Sequence, residues 1–160
     1  MRLFIRLAAV VAPLVLCACS HDSPSEPASV PNLVTNGSFS AAIDGAGWSA
    51  VGNVSVVRGD DQITVSAVST TYNVMLNLAN ATAVGDYPMT TPSIFGSSAQ
   101  LMNASAARWT TGGIDATGLV TITTLTASRI AGTFAFAGLP VTSGATSLVH
   151  VTRGTFDVTY

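Results

Sequence analysis

The sequence has little charge, and it contains no lysine at all. Charged residues make up 9% of the chain, whereas typical soluble domains contain about 25%. The six basic residues are all arginines, and eight acidic residues outnumber them. Because no basic patch can be found, the sequence argues against a nucleic-acid partner and against electrostatic attraction to anionic lipid headgroups.

Cysteine is almost absent, and both cysteines stand near the start of the chain, at Cys17 and Cys19. The rest of the chain therefore offers neither a disulfide nor a cysteine-ligated metal. The histidines are His21 and His150, and a lone histidine in the folded part is more typical of a strand surface than of a general base. Gly-x-Ser-x-Gly and His-Glu-x-x-His motifs are missing. We predict no catalytic residue, no cofactor and no metal site.

The aspartates lie mostly beside glycines or in turns, where hydrogen bonds to the local backbone explain them without catalysis. They are Asp44, Asp60, Asp61, Asp86, Asp115 and Asp157. Asp60 and Asp61 together remain candidates for part of a Ca²⁺ site, which would need further oxygen ligands. No spacing singles out a pair of carboxylates for glycoside hydrolysis.

Aromatic residues are also few, at 7% of the chain. Five of them could line a pocket or form a platform for a carbohydrate: Trp48, Tyr72, Tyr87, Trp109 and Tyr160. We favour core and edge packing for these side chains, because aromatic residues bury large areas in protein cores.

The sequence is rich in alternation between apolar and small polar residues. Residues 118–138 give the strongest case, because Ile130, Phe134 and Phe136 share one face after a polar break at residues 127–129. A period of two with β-branched and aromatic residues indicates strands, so these residues are predicted to form a β-hairpin. No segment keeps a helical period over three turns.

Short turns join most of the strands, and this requires antiparallel neighbours because a parallel pair needs a long crossover. We count about eight or nine strands, with residues 83–89 assigned to the end of a strand and a loop, and residues 139–146 assigned to a loop. A meander of this length must close into a barrel or divide into two packed sheets. The predicted fold is all-β, an antiparallel meander forming a β-sandwich or a calycin-like barrel.

Three glycines have structural interpretations. Gly132 and Gly138 are expected to relieve crowding or to mark strand ends, and not to bind phosphate. Gly154 interrupts the last predicted strand, residues 148–160, and predicts a β-bulge.

The start of the chain has the order of a bacterial export signal. Arg2 and Arg6 precede an apolar run over residues 7–16, which is too short to span a bilayer as a permanent helix. The residues at 16–19, Leu-Cys-Ala-Cys, then resemble the lipobox of bacterial lipoproteins. In that family the signal is cut before the cysteine, which becomes acylated, so the resemblance makes Cys19 the lipidated residue. Ser20 follows it, and the absence of Asp there favours the outer membrane.

These features divide the chain into three predicted parts. Residues 1–18 are the lipoprotein signal peptide, and residues 19–33 are the lipidated cysteine and a tether rich in proline and serine. Residues 34–160 are a single β domain. Without the signal, four arginines face eight acidic residues, a balance of −4.

A family resemblance is carried by short strings that occur in a fixed order. They lie at residues 38–48, 63–65, 85–88, 118–123, 130–136 and 154–158, with Trp109 in the middle. The set resembles an uncharacterised family of small bacterial lipoproteins, an all-β domain of unknown function. The likeness covers most of residues 36–160 and implies no activity or site residue. Leu101 departs from it, because an aromatic residue is expected there.

The prediction for function is a membrane-anchored lipoprotein of the cell envelope, whose domain is a non-enzymatic ligand-binding or structural module. Its membrane contact is the lipid anchor, and the ligand is a small molecule, a glycan or a protein. The first alternative is an envelope hydrolase on the same β scaffold, against which the scarcity of histidine, cysteine and lysine argues. The second is an integral outer-membrane β-barrel, because Phe156, Val158 and Tyr160 imitate the last strand of such proteins.

Overall fold

The computed structural model describes residues 34–89, 96–113 and 115–160. These residues belong to one compact unit, Pro31–Tyr160. The predicted signal peptide, Cys19 and the whole of the predicted tether lie outside the described residues. Within these ranges, no helix is long and apolar enough to cross a membrane.

Every regular element in the described part of the chain is a β-strand, as predicted. The strands are β1 (Val34–Ile43), β2 (Ala46–Val51), β3 (Val54–Arg58), β4 (Gln62–Val68), β5 (Tyr72–Ala79), β6 (Gly85–Pro88), β7 (Ser98–Asn103), β8 (Arg108–Thr110), β9 (Thr117–Leu125), β10 (Arg129–Pro140) and β11 (Val149–Thr159). All of the strand pairs are antiparallel. The all-β antiparallel class is therefore confirmed.

The strands form two sheets, and β1 and β10 take part in both of them. The six-stranded sheet has the order β2-β1-β11-β10-β9-β6, and the five-stranded sheet has the order β3-β4-β5-β7-β8. Val34 and Thr35 of β1 also pair with β3, while Leu139 and Pro140 of β10 pair with β8. These two short ladders join the sheets at both sides. The result is a nearly closed barrel, which combines the two predicted architectures.

Alternation along each strand decides which side chains enter the interior. In β10, Ile130, Phe134 and Phe136 are buried, whereas Thr133 and Ala135 between them are exposed. The predicted hairpin is thus confirmed, with β9 and β10 as its two arms.

The turn between β1 and β2 contains only Asp44 and Gly45, and both have positive φ values, of 46° and 84°. A two-residue hairpin loop of this kind matches the twist of its strands and favours an Asp-Gly pair. The Asp44 carboxylate also accepts a hydrogen bond from the backbone N–H of His150, at 2.8 Å. Asp44 therefore has a structural role at this turn.

The predicted bulge near Gly154 is confirmed. The register of β11 shifts against both β1 and β10 at this level, and the neighbouring Arg153 has a φ of 53°. A Cβ atom on Gly154 would lie 2.5 Å from the backbone oxygen of Phe134. The strand needs glycine at this point because the next strand approaches too closely for a side chain.

Three details of the sequence prediction differ from the structure. Residues 85–88 form the edge strand β6, which pairs with β9, whereas the sequence predicts a strand end and a loop there. β10 continues to Pro140, so the following loop begins later than predicted. The described residues contain eleven strands rather than eight or nine.

The space between the sheets is filled by side chains. Phe39 lies at the centre of an aromatic cluster, with its ring centroid 4.8 Å from that of Phe134, 5.9 Å from that of Trp48 and 6.2 Å from that of Phe156. Among the described residues, Thr111 is the one buried polar residue. Its hydroxyl accepts a hydrogen bond from the backbone N–H of Ala99, at 2.8 Å.

Candidate functional site

His150, the histidine of the predicted domain, lies on the exposed outer face of the six-stranded sheet. Its backbone N–H and C=O are both bonded to Asp44 across the β1–β11 pair. Its ring makes no hydrogen bond to any described residue. Leu119, Ala135 and Ala137 surround it in a depression of about 420 Å³. His150 therefore lies in a shallow surface depression, where no carboxylate of a described residue is bonded to its imidazole.

The aspartates are distributed over separate turns and strand ends. Asp61 accepts a backbone hydrogen bond from Asn80 at 2.7 Å through its main-chain oxygen, in the turn after β3. Asp86 on β6 accepts a hydrogen bond from the Thr121 hydroxyl at 2.7 Å. No group of three or more His, Cys, Asp or Glu side chains comes together in residues 34–89, 96–113 and 115–160. Asp60 and Asp61 are therefore not joined by a further acidic ligand among them.

Asp157 forms an ion pair with Arg129 at the end of the six-stranded sheet. The Nε and Nη2 atoms of Arg129 donate to the two carboxylate oxygens of Asp157, at 2.8 and 2.7 Å. The hydrogen bond from Arg129 lowers the pKa of Asp157, an effect that partial burial opposes and the charge of the arginine reinforces. The same hydrogen bond raises the pKa of Arg129. Both side chains are about half exposed, at 50% and 48%, so the pair is a surface contact.

The five aromatic residues that could form a binding platform all pack in or against the core, which agrees with the packing interpretation. Trp48 is buried, and its indole N–H donates to the Ser69 hydroxyl at 2.7 Å. The remaining four pack against the core while partly exposed: Tyr72, Tyr87, Trp109 and Tyr160. The indole N–H of Trp109 donates to the backbone oxygen of Ser147 at 2.8 Å. Gly138 allows the close approach of Trp109, because a Cβ there would lie 3.0 Å from the Trp109 Cβ.

The outer face of the six-stranded sheet is covered mainly by small residues. A second depression, of about 410 Å³, lies over β1 and β2 and is lined in part by Ser40, Ala42, Gly47 and Arg153. The hydroxyls of Ser40 and Thr155 bond to each other at 2.9 Å across the strands. This face is shallow, and its short side chains offer few groups that could contact a ligand.

The outer face of the five-stranded sheet carries a more distinctive group, which we name the Arg108 groove. It consists of Asn73 and Met75 on β5, Gln100 and Met102 on β7, and Arg108 on β8. The strand register places Asn73 beside Met102, Met102 beside Arg108, and Met75 beside Gln100. Alternation sends these side chains outward, because Val74 and Leu101 between them enter the core.

Arg108 is held by its backbone and not by its side chain. Its N–H donates to the Thr142 hydroxyl at 3.0 Å, and its carbonyl accepts from Val141 at 2.9 Å. The exposed guanidinium makes no hydrogen bond or ion pair with any residue in the described ranges. Five N–H donors are therefore available to an acceptor in the groove.

Asn73 supplies an unpaired acceptor in the same place. Its Oδ1 atom is shielded from solvent and has no hydrogen-bond donor among the described residues. A buried acceptor without a partner costs about 1–3 kcal/mol, so this atom calls for an explanation. Asn73 and Met102 also line an adjoining depression of about 220 Å³ that contains Tyr72 and Asn103.

The sequence prediction missed this group. The alternation along residues 72–78 indicates that Asn73 and Met75 face away from the core. It does not indicate their neighbours, because β7 and β8 carry only a weak strand signal. Leu101, where an aromatic residue was expected, is fully buried beneath the groove.

One comparison with known proteins finds a relative. A family described as a domain of unknown function, DUF6252, matches residues 35–158. No curated protein and no solved structure matches the chain.

Proposed function

The chain belongs to the DUF6252 family of domains of unknown function, and since that description names no activity, we propose a function from the residues themselves. We propose that this is a membrane-anchored bacterial lipoprotein of the cell envelope. Its β domain acts as a non-enzymatic module that binds a ligand or partner on its outer surface.

The order of residues 1–19 supports the anchor. Two arginines, an apolar run and the Leu-Cys-Ala-Cys sequence end at Cys19, which has the position of an acylated cysteine. Two or three acyl chains hold a protein stably on a bilayer, whereas one chain binds only reversibly. Ser20 supports the outer membrane as the destination.

The packed interior is the observation that carries the binding proposal. Phe39, Phe134 and Phe156 occupy the space between the sheets, and the buried residues of the described part are hydrophobic apart from Thr111. A ligand that needs polar contacts therefore has to bind outside, where the charged residues lie. Asp44 is bonded to the backbone of His150 and not to its ring, and the lack of a carboxylate bonded to the imidazole among the described residues favours binding over hydrolysis.

Metabolic labelling with an alkyne-tagged palmitate tests the anchor. The wild-type chain and the Cys17→Ser variant are expected to take up the label and to sediment with membranes. The Cys19→Ser variant is expected to lose both properties. Labelling that depends on Cys17, or a Cys19→Ser variant that is labelled as the wild type, would refute the assignment.

The non-enzymatic part has its own test. The full chain, purified in detergent, is assayed with chromogenic ester, phosphate, peptide and glycoside substrates. No turnover above that of the denatured protein is expected. Turnover that disappears in His150→Ala would favour the hydrolase alternative.

A further inference from the structure

We propose that the Arg108 groove binds the free carboxyl end of a peptide chain. The terminal carboxylate meets Arg108, the last amide N–H meets Asn73, and the last side chain lies against Met75 and Met102. This inference rests on the binding function proposed above and assigns it a site and a ligand class.

The charge of the groove favours a carboxylate ligand. The guanidinium of Arg108 is exposed and has no partner among the described residues, and no acidic residue lines the groove. A guanidinium is planar and presents paired N–H donors that match the two oxygens of a carboxylate. The groove is therefore complementary to a carboxylate and repels a cation.

The unpaired acceptor of Asn73 favours a ligand that also carries an N–H donor. Asn73 Oδ1 lacks a donor among the described residues. Asn73 on β5 and Arg108 on β8 lie on opposite sides of β7, with Met102 between them. In a peptide, the last amide N–H is attached to the same carbon atom as the terminal carboxylate. A ligand held by Arg108 would thus bring an N–H donor towards Asn73, after the flexible Met102 side chain moves. The Gln100 carboxamide can donate and accept beside it.

The size of the groove and its two methionines favour a single apolar side chain. Met75 and Met102 are half-buried on an outer face, and methionine adapts its shape to varied apolar partners. The groove has a volume of about 160 Å³ and the adjoining depression about 220 Å³. The groove alone lies below the roughly 300 Å³ at which pockets for drug-sized ligands begin. One terminal residue fits this space better than a whole small molecule.

A pair of peptides tests the proposal. The probe is a fluorescein-labelled Gly-Ser-Gly-Leu peptide with a free carboxylate, and its control is the same peptide with a carboxamide end. Fluorescence anisotropy is measured with the full chain in detergent. The carboxylate peptide is expected to bind at least about tenfold more tightly, because hydrogen bonds to a charged group are worth that much. Equal binding of the two peptides, or binding of neither, would overturn the proposal.

Two arginine variants locate the site. Arg108→Gln is expected to weaken binding of the carboxylate peptide by about tenfold or more, and Arg108→Lys to restore part of it. Arg153→Gln removes another exposed arginine, from the other sheet, and should leave binding unchanged. Circular dichroism checks that each variant is folded. Unchanged binding in a folded Arg108→Gln variant, or an equal loss in Arg153→Gln, would refute the assignment.

Competition separates a carboxylate site from a general oxyanion site. N-acetyl-leucine is expected to displace the peptide at a lower concentration than inorganic phosphate does. The reverse order would mean that Arg108 serves a phosphate, and the proposal would fail. Acylation at Cys19 is measured separately, so failure of the peptide test leaves the anchor unaffected.

Discussion

Arg129 and Asp157 show that ion pairing contributes little to the stability of this domain. Theirs is the one ion pair among the described residues, and it joins β10 to β11 through two hydrogen bonds. Because both side chains are about half exposed, solvent screens most of their attraction. The pair fixes the geometry of a strand end more than it stabilises the fold.

The pair predicts a small pH dependence of stability. The pKa of Asp157 is lowered in the folded state, so its contribution is full above the ordinary value of 3.8 and is lost as the pH falls through the lowered value. The raised pKa of Arg129 keeps that residue charged throughout. We expect Arg129→Gln to lower the urea midpoint slightly at about pH 7 and not at about pH 2. Arg153→Gln, which breaks no described ion pair, should show no such change. A deficit that persists in acid would contradict the prediction.

The candidate site was only half predictable at the level of residues. The outward direction of Asn73 and Met75 follows from the alternation with Val74, since a strand sends successive side chains to opposite faces. The arrival of Arg108 does not follow, because it depends on the registers of β5 with β7 and of β7 with β8. Register comes from long-range packing, which a single sequence does not reveal.

At the level of elements, strong alternation was a reliable guide and short strands were not. The β9–β10 hairpin and the β11 bulge agree with the sequence prediction. β6 has only four residues and ends at Pro88, so it lacks the length that makes a period of two visible. Its stability comes from β9, more than thirty positions later. An edge strand defined by its neighbour cannot be read from its own residues.

Gly132 lies where β9 and β10 are too close together to accommodate a side chain. A Cβ there would collide with the backbone oxygen of Thr121 and lie 2.8 Å from the Phe156 ring. We expect Gly132→Ala to destabilise the domain by about 1–3 kcal/mol, as overpacking does. Gly47→Ala is the control, because a Cβ at Gly47 meets nothing within 4 Å. Equal urea midpoints for the two variants would show that the strands separate without cost.

At the scale of the whole molecule, closure joins two sheets into one folding unit. β1 pairs with β2 of the six-stranded sheet over part of its length and with β3 of the five-stranded sheet at its start. β10 likewise pairs with β9 and, at its end, with β8. Because these strands belong to both sheets, neither sheet can move away without breaking a ladder. Buried side chains from both sheets form a single core cluster.

Truncation of Phe39 tests how much that core contributes to the free energy of unfolding. It is 1% exposed and contacts three other aromatic rings, so truncation would leave a cavity at the centre. We expect Phe39→Ala to lower the free energy of unfolding by about 3–5 kcal/mol. Val51→Ala, at a residue that is 77% exposed, should change it by less than about 0.5 kcal/mol. Urea denaturation measures both variants. A small loss in Phe39→Ala would mean that the interior readily rearranges.

The pairing of β1 with β11 has a consequence for how the domain is made. The hydroxyls of Ser40 and Thr155 bond at 2.9 Å although 115 positions separate them. A polypeptide that threads through a secretion pore from its amino end would expose β1 long before its neighbour arrives. Contacts so distant along the chain form slowly. A chain exported as proposed above would therefore stay open to proteases until β11 has emerged and paired with β1.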